Sequence, residues 1–122
     1  MTQEDKELLL KDLCARLPYG IKASYYGAEE EHEIWDEIEG LTFDGYVDIG
    51  QYSLPIEAIK PYLFPLSSMT EEEKLMYEGL MIGTDNVSYM LDVIDWLNAH
   101  HFDYRGLIEK GLAIDATNLN IY

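Results

Sequence analysis

The chain has 122 residues, 48% of them hydrophobic, with a single cysteine and 24 acids against eight bases, a formal net charge of −16. This length predicts one domain, and the apolar fraction is too high for a disordered chain. So negative a surface repels phosphate, which disfavours direct nucleic-acid binding and anionic membranes and favours a basic protein partner.

Residues 2–17 read as a first helix. Thr2 caps it, and Glu4, Asp5 and Glu7 sit in the first turn, where the helix dipole favours acids. Leu9, Leu10, Leu13 and Leu17 form one apolar face of a 3.6-residue period, and Pro18-Tyr19-Gly20 ends it. Cys14 falls inside this pattern, where a buried, inert thiol is expected and no intramolecular disulfide can form.

From residue 20 the period shortens to two. Residues 21–26 predict a strand ending at Gly27, and Glu29, Glu30, Glu31, His32 and Glu33 make a charged turn. Residues 34–39 are read as a second strand despite their acids, and Asp44-Gly45 is a hairpin signal. Residues 46–49 predict the next strand, Gly50 a turn, and residues 52–59 a last strand whose Pro55 suggests an edge. Short strands at this spacing suggest a small, curved antiparallel sheet, with an SH3-like barrel as its closed form.

Lys60-Pro61 and Phe64-Pro65 then force extended backbone, because a residue before proline avoids the helical region. Thr70 with Glu73 is a capping box that predicts a second helix to about residue 81. Asp85 or Asn86 caps a third over residues 87–100, with Met90, Leu91, Ile94 and Leu97 on one face and Tyr89, Val93 and Trp96 beside it. A helix apolar around most of its circumference is expected to be wedged between other elements. Asp103 predicts a short fourth helix with Leu107 and Ile108 inward and Gly111 as its stop. Residues 113–122 have no clear period and are expected to be loose.

The expected class is α+β: an N-terminal helix (residues 1–19), a β-rich part (20–66) and a C-terminal group of about three helices (67–122), in one domain. No apolar run approaches the roughly 18 residues a membrane span needs, and Met1-Thr2-Gln3-Glu4-Asp5 lacks the positive start of a signal peptide. A cytoplasmic location is therefore expected.

Three segments also carry a family resemblance: K-D-L-C-A-R-L-P-Y-G (11–20), I-K-P-Y-L-F-P-L-S-S-M-T-E-E-E (59–73) and D-W-L-N-A-H-H-F-D-Y-R-G-L-I-E-K-G-L-A (95–113). Together they cover 44 of the 122 residues. They resemble small acidic proteins of no known activity from Bacteroides-type gut bacteria and their phages and mobile elements. The resemblance implies an accessory protein of such an element, and it carries no catalytic residue across.

The residues themselves offer little chemistry. Adjacent His100 and His101 point about 100° apart on a helix and cannot chelate one ion without help, and His32 stands alone among acids. Residues 44–48 lack the ligand alternation of an EF-hand. G-x-S-x-G, P-loop and G-x-G-x-x-G patterns are absent from the sequence. No residue is assigned a catalytic, cofactor-binding or metal-binding role, and no cofactor is expected.

The acids carry more weight. Ten of them and no base lie between Lys22 and Lys60, and alternation along strands would gather several on one face. The candidate contact residues are Glu29, Glu30, Glu31, Glu33, Asp36, Glu37, Glu39, Asp44 and Asp48, with Tyr25, Tyr26, Tyr46 and Tyr52 as aromatic contributors. The plain reading is a solubilising face, with the tyrosines as cross-strand pairs covering the core. The functional reading is a non-enzymatic protein that binds a basic partner through this face, in its specific form as a DNA mimic. The competing class is a small metal-dependent hydrolase built on clustered carboxylates.

Overall fold

The computed structural model describes residues 1–26, 34–42, 44–82 and 87–122, the last without the side chains of 87–89. Helix α1 (Gln3–Arg16) begins with a complete capping box: Thr2 accepts from the Asp5 amide, and the Asp5 side chain accepts from the Thr2 amide. After it come β1 (Lys22–Tyr25), β2 (Ile34–Leu41), β3 (Tyr46–Ile49), β4 (Tyr52–Pro55) and β5 (Ile59–Pro65). Helix α2 (Glu71–Met81) has its own capping box from Thr70 and Glu73, and α3 (Val87–Ala99) follows. Two short strands, β6 (Phe102–Asp103) and β7 (Ile114–Asp115), complete the set.

The strands form one sheet in the order β4-β3-β2-β1-β5-β6, with β7 also paired to β5. The first five pair antiparallel, whereas β6 and β7 run parallel to β5. The architecture is thus the expected α+β one, with an N-terminal helix, a small antiparallel-rich sheet and C-terminal helices. The sheet is open, so the closed barrel does not form. At the β2–β3 turn Gly45 adopts φ +88°, the left-handed conformation the Asp44-Gly45 pair was expected to supply.

Strand β5 is the pivot, and its prolines show why. Odd-numbered residues turn their peptide groups to β7, as Leu63 does in accepting from the Ala116 amide at 2.8 Å. Even-numbered residues turn the other way, Phe64 donating to the His101 carbonyl at 2.8 Å. Pro61 and Pro65 therefore present their missing N–H only to the β7 side, where pairing covers just Tyr62 and Leu63. The segment expected to cross over the sheet is its central strand, and residues 52–59 are broken by a 3₁₀ turn at Ile56–Ala58.

Side chains alternate accordingly. Ile59 and Leu63 join Leu9 and Leu13 of α1, Ile21, Ala23, Ile38, Val47, Ile49, Leu107 and Leu112 in the main core. On the other face Tyr62 packs with Ala116 and Ile121, while Phe64 reaches Phe102, Met69, Val93 and Leu97 and so fastens the α2–α3 hairpin.

Several expectations are corrected. The fourth helix does not form: residues 104–113 make turns, with the Asp103 carboxylate accepting from the amides of Leu107 (3.0 Å) and Ile108 (2.9 Å). The segment closes after one turn at Gly111 (φ +74°), whose amide returns to the Ile108 carbonyl as that of Leu112 does to Leu107, and Leu107 is buried as expected. Residues 113–122 are not loose, because β7 and the buried Ala116 and Ile121 tie them down. Cys14 is exposed, since the buried stripe of α1 runs through Leu9, Asp12, Leu13 and Arg16. Finally, α3 is not wedged: Val93 and Leu97 face inward, while Met90, Leu91 and Ile94 remain exposed.

Candidate interaction surface

The described acids of the β-rich part do not gather on one face. Glu29, Glu30, Glu31 and Glu33, with His32, lie outside the described residues. Asp36 is the cross-strand partner of Ala23, so it shares the α1 side of the sheet. Glu37 stands opposite Lys22, a base, on the outer side. Glu39 is the extra residue of an irregularity in β2, next to Gly40, the partner of Asp48. Asp44 sits at the hairpin tip and accepts from the Thr42 hydroxyl at 2.5 Å. Glu57 is held by Lys6 at 2.6 Å, and that hydrogen bond keeps its carboxyl below the usual glutamate range.

The tyrosines separate in the same way. Tyr25 is buried and meets Tyr52 edge-to-face, ring centroids 6.0 Å apart, on the core side. Tyr26, just past the end of β1, and Tyr46 on β3 are exposed, with β2 between the two strands. The four rings line no common groove.

Beneath the surface lies a charged cluster that the sequence reading did not anticipate. Asp12 is fully buried and accepts from Arg16 Nε at 2.7 Å and Arg105 Nε at 3.1 Å. Arg16, equally buried, also donates to the Phe102 carbonyl at 2.7 Å. Both guanidiniums lie over the Tyr104 ring. The i, i+4 spacing of Asp12 and Arg16 was the available signal, but such pairs usually sit on exposed helix faces. Both Asp12 oxygens are engaged, whereas Arg16 Nη1 is buried without a hydrogen-bond partner, and the position of the cluster between α1 and β6 is that of a structural tie.

Of the histidines, His100 makes the helix-end contact expected of it, its Nδ1 lying 2.8 Å from the Trp96 carbonyl. His101 instead stacks on Tyr122, centroids 3.6 Å apart. Burial, helped by the nearby Arg16, lowers its pKa to about 4. Among the described residues, no three His, Cys, Asp or Glu side chains are grouped so as to hold a metal ion.

The feature with most exposed apolar surface is the α2–α3 hairpin. Tyr77 and Val93 floor a groove of about 310 Å³ whose other walls are Met81, Met90 and Ile94. Leu91, one turn back from Ile94, is 57% exposed, Leu75 on α2 is 69% exposed, and Ile82, just past the end of α2, is 78% exposed. Trp96 lies behind the groove, its ring 6.1 Å from Tyr77 and stacked on Phe102. Residues 71–82 and 90–99 carry Glu71, Glu72, Glu73, Glu78, Asp92 and Asp95 against Lys74 alone. The sequence signal was an apolar content in both helices greater than one inward face can bury. It was read as burial between elements, whereas the body of the protein covers only one side.

Compared with known proteins, the chain matches no family model, and no curated protein and no solved structure matches it. No helix among the described residues is long and apolar enough to cross a membrane.

Proposed function

We propose that this chain is a non-enzymatic accessory protein that binds a basic protein partner, and that the α2–α3 hairpin is its main contact surface. The observation that carries the reading is the set of exposed apolar side chains on that hairpin in a chain of net charge −16. Contiguous exposed apolar groups rimmed by charge mark interaction sites, and a strong negative field speeds encounter with a basic partner. The setting in a phage or mobile element enters through the sequence resemblance alone. The DNA-mimic form is the weaker version, because the described acids of the β-rich part are divided, Asp36 and Glu37 pointing to opposite sides of the sheet and Glu57 paired with Lys6.

The test is affinity capture with the tagged chain and with an Leu91→Glu/Ile94→Glu variant, eluted by stepwise salt and, in parallel, by DNA. Retention of a basic protein by the parent and its loss from the variant is the expected result. Retention unchanged by the substitutions but abolished by DNA would transfer the contact to the acidic surface. Capture of nothing by either form would end the binding proposal.

A further inference from the structure

The groove has a shape and a chemistry that narrow the class of partner. Its walls come from Tyr77 and Met81, one helical turn apart on α2, and from Met90, Val93 and Ile94 on α3. Two neighbouring helices that leave an apolar trough between them are the receiving half of helix-in-groove recognition, in which an amphipathic helix lays its apolar face into the trough. Two of the five lining residues are methionines, and Met76 is exposed a turn before them. Methionine's unbranched, polarizable side chain moulds to different apolar partners at small cost.

Charge then selects among occupants. A second copy of this chain would bring another −16 against the same hairpin, and its own hairpin has six acids to one base in residues 71–82 and 90–99. That is self-repelling at ordinary ionic strength. Glu78 is three positions before Met81 on α2 and so neighbours it at the groove edge. A bound helix with lysines or arginines flanking its apolar stripe would meet this acid in the field of a strongly negative chain.

Resting on the protein-binding reading above, we propose that the groove of Tyr77, Met81, Met90, Val93 and Ile94 binds a basic amphipathic helix of the partner. Its apolar face packs on the methionines, and a cationic flank faces Glu78. Trp96 is the built-in reporter, because it contacts the groove floor from behind.

The experiment uses the full chain with Trp35→Phe, which leaves Trp96 as the single tryptophan. The probe is a tryptophan-free Leu/Lys peptide of about five helical turns, compared with a scramble of identical composition that cannot segregate its leucines on one face. Saturable change in Trp96 emission is expected for the amphipathic peptide, with binding weakened at least about tenfold by Ile94→Glu and at least about tenfold in the scramble. Thermal melts of each variant confirm that the fold is retained, which exposed substitutions at this site should allow. Equal binding of the scramble, or no effect of Ile94→Glu, would reduce the contact to charge alone and overturn the proposal. If neither peptide binds while partner capture still depends on Leu91 and Ile94, the helix mode is wrong and protein binding stands. Failure of both would remove both.

Discussion

Asp12 and Arg16, one turn apart on α1, are both fully buried and joined at 2.7 Å, and Arg16 spans 86 residues of sequence to the Phe102 carbonyl. A buried ion pair broken from one side leaves an uncompensated charge, at a cost of roughly 3–5 kcal/mol. Asp12→Ala is therefore expected to lower unfolding free energy by about that amount, because it strands Arg16 and frees Arg105. Replacing both members, as Asp12→Ala/Arg16→Met, should cost less than the sum of Asp12→Ala and Arg16→Met. Urea denaturation of the four proteins completes the cycle, and strict additivity would show that the pair is not coupled.

His101 should make stability depend on pH. Its folded pKa of about 4 lies below the usual value near 6.5, so between these the unfolded chain binds more protons. Stability from this source is complete above about pH 7, falls as pH drops through the window, and has been lost by about pH 4. The amplitude is on the order of 1–2 kcal/mol, less than the full shift implies because the ring is partly open to solvent. His101→Asn removes the titration and suits the positive backbone φ of 62° found there. Relative to this variant the parent should weaken steadily from pH 7 to 4 in parallel urea melts. A difference independent of pH would refute the assignment.

Tyr122 closes the far end of the chain onto the sheet. Its hydroxyl accepts from the Lys22 amide at 2.9 Å and donates to the Tyr62 carbonyl at 2.9 Å, and burial raises its phenol above the ordinary tyrosine range. Tyr122→Phe keeps the His101 stack but leaves both backbone groups without this partner, for an expected loss of about 1–2 kcal/mol. Amide exchange should quicken at Lys22 in the variant. Unchanged protection there would mean that the hydroxyl is not what shields this amide.

Cys14 lies on the exposed side of α1. A thiol reagent added to the native protein should react fully without denaturant, at a rate close to that of a free cysteine in a model peptide. Protection lifted only by urea would place the thiol inside.

The apolar groove shows how a site can be visible in composition and still misread. Met90, Leu91 and Ile94 stood out as an apolar face of a helix, and so did Val93 and Trp96. A helix apolar nearly all round has no single direction that its pattern marks as inward. Val93 and Leu97 became the inner residues only because Phe64 and Phe102, partners on the paired strands β5 and β6, lie against them. The same limit applies to the acids. Alternation predicted that strand acids would share faces, but which face each takes depends on register, and an irregularity at Glu39 changes it midway along β2.

What the sequence determined by itself is what acts over a few residues. Thr2 and Thr70 start their helices because their hydroxyls take amides three positions on, and Asp44-Gly45 turns because glycine accepts positive φ. The two-residue period placed the strands on either side of it, and with them the α+β class. Only the tertiary structure decided that β5 is central, that two-residue strands pair parallel to it, that the last ten residues are anchored, and that the hairpin keeps an open apolar side. Parallel pairing joins residues about 40–50 positions apart, and its free energy comes from burial on both faces at once, which no local pattern encodes.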